Sequence, residues 1–244
     1  MEFRKTILLI PGLFLLLISP VFAGPPFNTD DPEPVSFKHW EFYLSSIDYF
    51  QSGSKSGTLP HFEINYGVIR NVQLHLLIPL NYLNEGNKFD YGYGNTELGV
   101  KIRFLNLEKN KIQAGLFPVF QIPTIQNENF SNNRLQCFLP VWFQKSWKKL
   151  TTYGGGGYCF NPGINNRNWQ FVGWEAQYDF TDKVTLGGEL FYKTAATQNS
   201  KGYLGFNLGG FINFSEKFHF IFSAGQSITG EKGIMTYTGL LWTI

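Results

Sequence analysis

From His39 to the end of the chain, apolar and polar residues alternate with a period of two, in segment after segment of ten or more residues. Period two puts successive side chains on opposite faces of a strand, and no stretch shows a helical period, so the sequence predicts an all-β fold. Twelve strands can be laid out, at about 39–50, 59–69, 72–82, 93–105, 111–123, 135–145, 150–161, 168–180, 184–194, 202–214, 218–228 and 234–243. Strands of soluble proteins usually run about five or six residues, whereas a tilted strand that crosses a membrane needs about 9–11.

The connections sharpen this reading. Arg70-Asn71, Asn106 to Asn110, Ser146 to Lys149, Thr181 to Lys183 and Ser215 to Lys217 are brief. The intervening connections are mostly longer: Gln51 to Thr58, Leu83 to Gly92, Thr124 to Arg134, Pro162 to Arg167 and Ala195 to Lys201. Short and long turns alternate in this way in an outer-membrane barrel, with tight periplasmic turns and looser outer loops.

In the fourth, eighth and tenth strands one face carries no charge. Leu98, Val100, Ile102 and Phe104 alternate with Glu97, Gly99, Lys101 and Arg103, and Val172, Trp174, Ala176, Tyr178 and Phe180 alternate with Glu175, Gln177 and Asp179. Leu204, Phe206, Leu208, Ile212 and Phe214 alternate with Gly205, Asn207, Gly209 and Asn213. A soluble barrel or sandwich also has one apolar face, so the alternation alone leaves inside and outside open. Two observations favour apolar-outward. Twelve strands around an apolar interior would enclose a large greasy cavity, and aromatic residues recur at the strand ends: Phe104, Phe143, Phe180 and Phe214 near short turns, Tyr82 and Tyr192 near long ones. Such positions match the two aromatic girdles of a barrel in lipid.

The first 23 residues read as a secretory signal: a charged MEFRK, an apolar run broken by Pro11, and small residues ending at Ala23. A membrane anchor is the weaker alternative, because the run is short of a span and contains proline. Losing Glu2, Arg4 and Lys5 with it leaves a nearly neutral chain and no electrostatic case for nucleic acid. Residues 24–38, GPPFNTDDPEPVSFK, cannot form a regular element, since proline blocks helix interiors and central strands. They are a periplasmic tail or a plug, with Asp30, Asp31 and Glu33 as mouth or plug residues; within it, TDDPE reads as a solvated acidic tail rather than a calcium loop, lacking the spaced ligands and glycine. The 18% aromatic content and 26 glycines are high, while 16% charge is low against about 25% for soluble proteins.

The functional candidates are the ionisable residues expected in the lumen: Glu41, Glu63, Glu97, Lys101, Arg103, Glu175, Asp179, Glu189 and Lys193. Facing charges can set pore selectivity, or can pair and fill a narrow barrel. His39, His61, His75 and His219 lack metal-ligand spacing, and no metal or cofactor is expected. A lipid hydrolase would need a neighbouring serine and histidine on the outer wall, and none can be singled out. Cys137 and Cys159 fall at equal height beside a shared turn, so a disulfide is open, although a one-residue register shift would put them on opposite faces. The run TTYGGGGYCFNPG invites a phosphate-loop reading, but no Lys and Ser/Thr open a helix after it. It is better read as a strand with Gly154 to Gly157 mid-barrel, leaving room for Trp142, Arg103 or the N-terminal tail.

The segments GPPFNTDDPEPVSFKHWEFY, GYGNTELGVKIRF and LPVWFQKSWKKLTTYGGGGYCFNPGINNRNW resemble a bacterial family of outer-membrane transporters named for the MetA pathway of phenol degradation. The resemblance spans nearly the whole chain after residue 23. It implies an outer-membrane barrel passing small hydrophobic or aromatic compounds. The terminal GLLWTI departs from the final aromatic residue that assembly machinery commonly reads, with Trp242 two residues short. Residues 39–244 are therefore expected to form one transmembrane antiparallel β-barrel of about twelve strands in the bacterial outer membrane. Its expected partners are outer-membrane lipid, the barrel-assembly machinery and small solutes that it passes passively. A filled structural or adhesive barrel is the rival, and a lipid hydrolase a weaker one.

Overall fold

The computed structural model describes residues 25–124, 130 and 134–244; the signal sequence expected at 1–23 lies outside them. Fourteen strands form: β1 Trp40–Gln51, β2 Ser54–Ile69, β3 Val72–Glu85, β4 Lys88–Tyr93, β5 Thr96–Leu107, β6 Ile112–Leu116, β7 Val119–Ile122, β8 Gln136–Trp147, β9 Leu150–Phe160, β10 Trp169–Thr181, β11 Val184–Lys193, β12 Tyr203–Asn213, β13 Phe218–Gly230 and β14 Ile234–Thr243. β3 pairs with both β4 and β5, and β8 with both β6 and β7, so each of these couples is one interrupted stave. Twelve antiparallel staves result. The last closes on the first, Phe42 lying opposite Trp242 and Leu44 opposite Leu240.

The interruption between β6 and β7 falls at Phe117 and Pro118. Proline has no N–H for the ladder, and Pro140 sits in the neighbouring β8, where Phe117 donates to its carbonyl at 3.3 Å. At the short-turn end Asn71, Lys111 and Lys148 take positive φ, of 65°, 51° and 48°, which closes the chain within very few residues. The opposite end differs from the expected loops in two places. Gln51 to Thr58 and Leu83 to Gly92 are largely strand, with β2 starting at Ser54 and β4 running back from Lys88, so β1 to β4 form tall hairpins. The turn glycines Gly53 and Gly86, at φ of 82° and 59°, permit these tight reversals.

The faces separate as the alternation requires. Leu98, Phe104, Val172, Trp174, Phe180 and Leu208 point outward and stay exposed, while Lys101, Glu175, Gln177 and Asn207 are buried inward. A broad uncharged outer wall around a polar interior is a barrel whose outside solvent is lipid. The interior also holds two apolar clusters: Tyr43, Phe211, Ile221, Tyr237 and Leu241 on one wall, and Phe117, Val119 and Trp142 on another.

Within β9, Gly155 lies opposite Trp142 and Gly154 opposite Trp174. The two indoles cover the bare backbone from the inside and the outside respectively, so a side chain at either glycine would collide with a ring or a carbonyl. Arg103 is elsewhere, bonded to Asn71 and Gln113. The register also decides the cysteines. Cys159 lies opposite Phe138 and Cys137 opposite Phe160. The two thiols are thus on opposite faces, Cys159 buried and Cys137 outward, and both are free.

Candidate functional site in the barrel interior

Residues 25–35 lie inside the barrel, crossing from the β11–β13 wall to the β5–β8 wall and then to β3, and residues 36–39 are exposed beside the end of β2 before β1 begins. The crossing is made of specific hydrogen bonds. Ser223 donates to the Pro26 carbonyl at 2.6 Å, and the backbone N–H groups of Asn28 and Thr29 each donate to the Glu189 carboxylate at 2.8 Å. Asn207 supplies a further donor to Glu189 from β12. Lys101 donates to Asp30 at 2.9 Å and to Asp31 at 3.4 Å. Gln113 and Gln144 donate to Glu33, which also stands 3.5 Å from Arg103, and Val35 N–H donates to Gln73 at 2.8 Å. Phe37 finally bridges Gly67 in parallel, with Lys38 N–H donating to the Gly67 carbonyl at 2.7 Å. Gly67 must be bare, because a Cβ there would run into the Ser36 carbonyl.

Proline explains why this segment is held by wall side chains rather than by a strand ladder. With few regular backbone pairings of its own, it needs wall side chains to satisfy its polar groups. Asp31 has no exposed surface, so the solvated acidic tail expected for TDDPE does not describe it. Burial pushes the Asp31 carboxyl above the usual carboxylate range, an effect that Lys101 opposes.

The nine expected lumen residues all carry their side chains on the inward face, at four places. Glu41, Glu63, Glu97, Lys101 and Arg103 lie on the β1–β5 side. There His75 stands 3.5 Å from Glu63 and 2.8 Å from Asn65, and Gln121 donates to Glu97 at 2.7 Å. Glu175 and Glu189 face one another across β10 and β11. Asp179 lies at the short-turn rim, bonded by Thr185 at 2.6 Å, and Lys193 lies at the long-loop rim, its ammonium 4.2 Å from the centre of the Trp169 ring. Sequence reasoning missed the neutral members, Gln73, Gln113, Gln144, Asn207 and Ser223. Their signal was present as neutral polar side chains on inward positions of the alternation.

Three cavities follow one another beside the segment. The first, about 230 Å³, opens near the short-turn end and is bordered by Glu41, Glu216 and Lys101. The second, about 220 Å³, is bordered by His61, His75 and Glu97, and the two share Pro25, Asp30, Glu63 and Phe117 as lining. The third, about 150 Å³, lies towards the long loops between Phe191, Tyr203, Gln226 and Glu231 and shares Tyr49 and Met235 with the second. Among the described residues no group of three or more His, Cys, Asp or Glu is arranged to hold a metal ion.

No family model matches the chain, and no curated relative is found. Solved structures do match. The COG4313 outer membrane channel from Pseudomonas putida F1 superposes with a TM-score of 0.72 at 13% identity, over 91% of this chain and 100% of that one. This chain has the fold of an outer-membrane channel barrel. The KdgM porin in complex with disordered oligogalacturonate is more distant, with a TM-score of 0.56 at 10% identity over 82% of this chain and 98% of that one. The NanC porin is similar at 0.58 and 8%, with the same coverage of each chain. At these identities the likeness concerns the fold, and the function has to be argued from the interior.

Proposed function

We propose that this protein is a passive channel of the bacterial outer membrane for small solutes, delivered there by the signal at 1–23, and that residues 24–38 act as its plug. The observation that carries the reading is the succession of three cavities alongside a segment whose polar groups are held to the walls by hydrogen bonds and ion pairs. A barrel whose interior served only as packing would gain most from apolar filling on every wall. Here charged and polar side chains such as Glu41, Glu63, Glu97 and Lys101 share the lining of the path with apolar ones.

The resemblance to the phenol-degradation transporter family suggests hydrophobic or aromatic solutes. The outermost cavity supports it, since Tyr49, Phe191 and Tyr203 offer ring faces at its wall. Lipid contacts the outer wall, and Trp242, half exposed on the last strand, is the residue we assign to recognition by the assembly machinery. The two interior apolar clusters favour the second reading, a filled structural barrel. Deleting residues 24–36 and recording single channels in planar bilayers separates the two. The channel reading expects current from the full chain and larger unit conductance after deletion. Unchanged conductance counts against the plug, and a silent barrel in both forms counts against the channel.

A further inference from the structure

The path beside the N-terminal segment has an unbalanced lining. Glu41 borders the first cavity, Glu63 stands where the first and second meet, and Glu97 borders the second. On the same side Lys101, which lines the first cavity, is the one ammonium among the described residues bordering the two, and it is engaged by both Asp30 and Asp31. The imidazoles of His61 and His75 complete the titratable lining of the second cavity. Glu41 receives a hydrogen bond from Tyr43 at 3.0 Å and Glu97 from Gln121, so both are held by neutral donors rather than by cations.

A second observation points the same way and does not depend on the carboxylates. Asn207 borders the third cavity, and its Oδ1, an amide oxygen that can only accept, is buried with no hydrogen-bond partner among the described residues. Buried polar oxygens need a partner from somewhere, and beside a cavity that partner is its occupant. An occupant that satisfies oxygens and tolerates carboxylates is a hydrogen-bond donor with positive charge. In a narrow passage with low-dielectric walls, one sign of lining charge concentrates the opposite ion and repels its own.

We propose that this path selects small cations, including protonated amines, over anions, and that Glu41, Glu63 and Glu97 determine that selectivity. The proposal rests on the channel reading and adds the class of solute. Glu63 is the pivotal residue, because both cavities share it.

The test is the reversal potential of the full-length folded protein in planar bilayers across a KCl gradient at pH 8. The expected result is a sign and size corresponding to a several-fold preference for K⁺ over Cl⁻. Glu63→Gln, and separately the pair Glu41→Gln with Glu97→Gln, should move the permeability ratio towards unity, while Glu108→Gln, exposed in the turn after β5 and outside the three cavities, should leave it unchanged. Current without cation preference in the unaltered protein overturns the proposal and leaves the channel standing. A preference that survives in all the Gln variants overturns the assignment of the three residues. A silent full-length barrel overturns the channel reading itself. Should a Gln variant fail to fold, the unaltered protein's reversal potential still decides whether cations are preferred.

Discussion

Glu175 and Glu189 occupy directly opposed positions on β10 and β11, both buried, yet their surroundings differ. Glu189 accepts from two backbone N–H groups and from the amides of Asn28 and Asn207, so its charge is met by donors. Glu175 has no exposed surface, and only the neutral Tyr153 hydroxyl stands beside its carboxylate as a donor. Removing a well-served carboxylate is costly, whereas removing a poorly served one relieves desolvation. Glu189→Gln is therefore expected to destabilise by about 1.5–3 kcal/mol, the worth of a hydrogen bond to a charged group, and to expose the N-terminal segment to protease. Glu175→Gln should leave the melting temperature unchanged or raise it. Thermal melts in detergent micelles, run beside limited proteolysis, compare the two. The sequence places both glutamates on the inward face, but nothing in it tells them apart, because the difference is made by Asn28 and Thr29, about 160 residues away in the chain.

At the scale of the strand, alternation sorts side chains onto two faces, and in the closed barrel the apolar one is outward. Leu208, 64% exposed near the middle of β12, illustrates it. Leu208→Arg should cost about 2–4 kcal/mol in unfolding from lipid vesicles, the midplane penalty for a basic residue. Register is the finer variable. Cys137 and Cys159 look like cross-strand neighbours when counted outward from their turn, but the pairing of Trp147 with Leu150 shifts the match by one residue and sends the thiols to opposite faces. Alkylation in denaturant without reductant should accordingly add two labels, the same mass as with reductant; labels gained only after reduction would contradict the register. The glycine run yields to the same logic. Which indole lies on which face of Gly154 and Gly155 follows from pairings with β8 and β10. Gly155→Ala should weaken the barrel by about 1–3 kcal/mol through overpacking against β8, seen as earlier loss of the compact band on heated gels.

For the whole molecule, the wall is a local consequence repeated twelve times, and the interior is not. Strand length, tight turns and an uncharged face are properties of neighbouring residues, so the sequence alone determined the all-β class, the stave count, the lipid-facing set and the inward direction of the ionisable residues. The tall β1–β4 hairpins escaped it because turn residues such as Gly53 and Gly86 sit inside stretches that read as loop. The interruption at Pro118 was legible as a proline but not as a break shared with Pro140 on the next stave. The path of residues 25–39 was beyond local reading altogether. Its prolines exclude regular structure, which leaves the choice between solvent and lumen to whichever partners the closed barrel assembles. Closure brings Lys101, Glu189, Gln73, Gln113, Gln144 and Ser223 around one volume, and only together do they outweigh the hydration that buried groups such as Asp31 give up. Local periodicity thus sets the wall, while long-range complementarity, which exists only after the barrel closes, decides what occupies the space inside it.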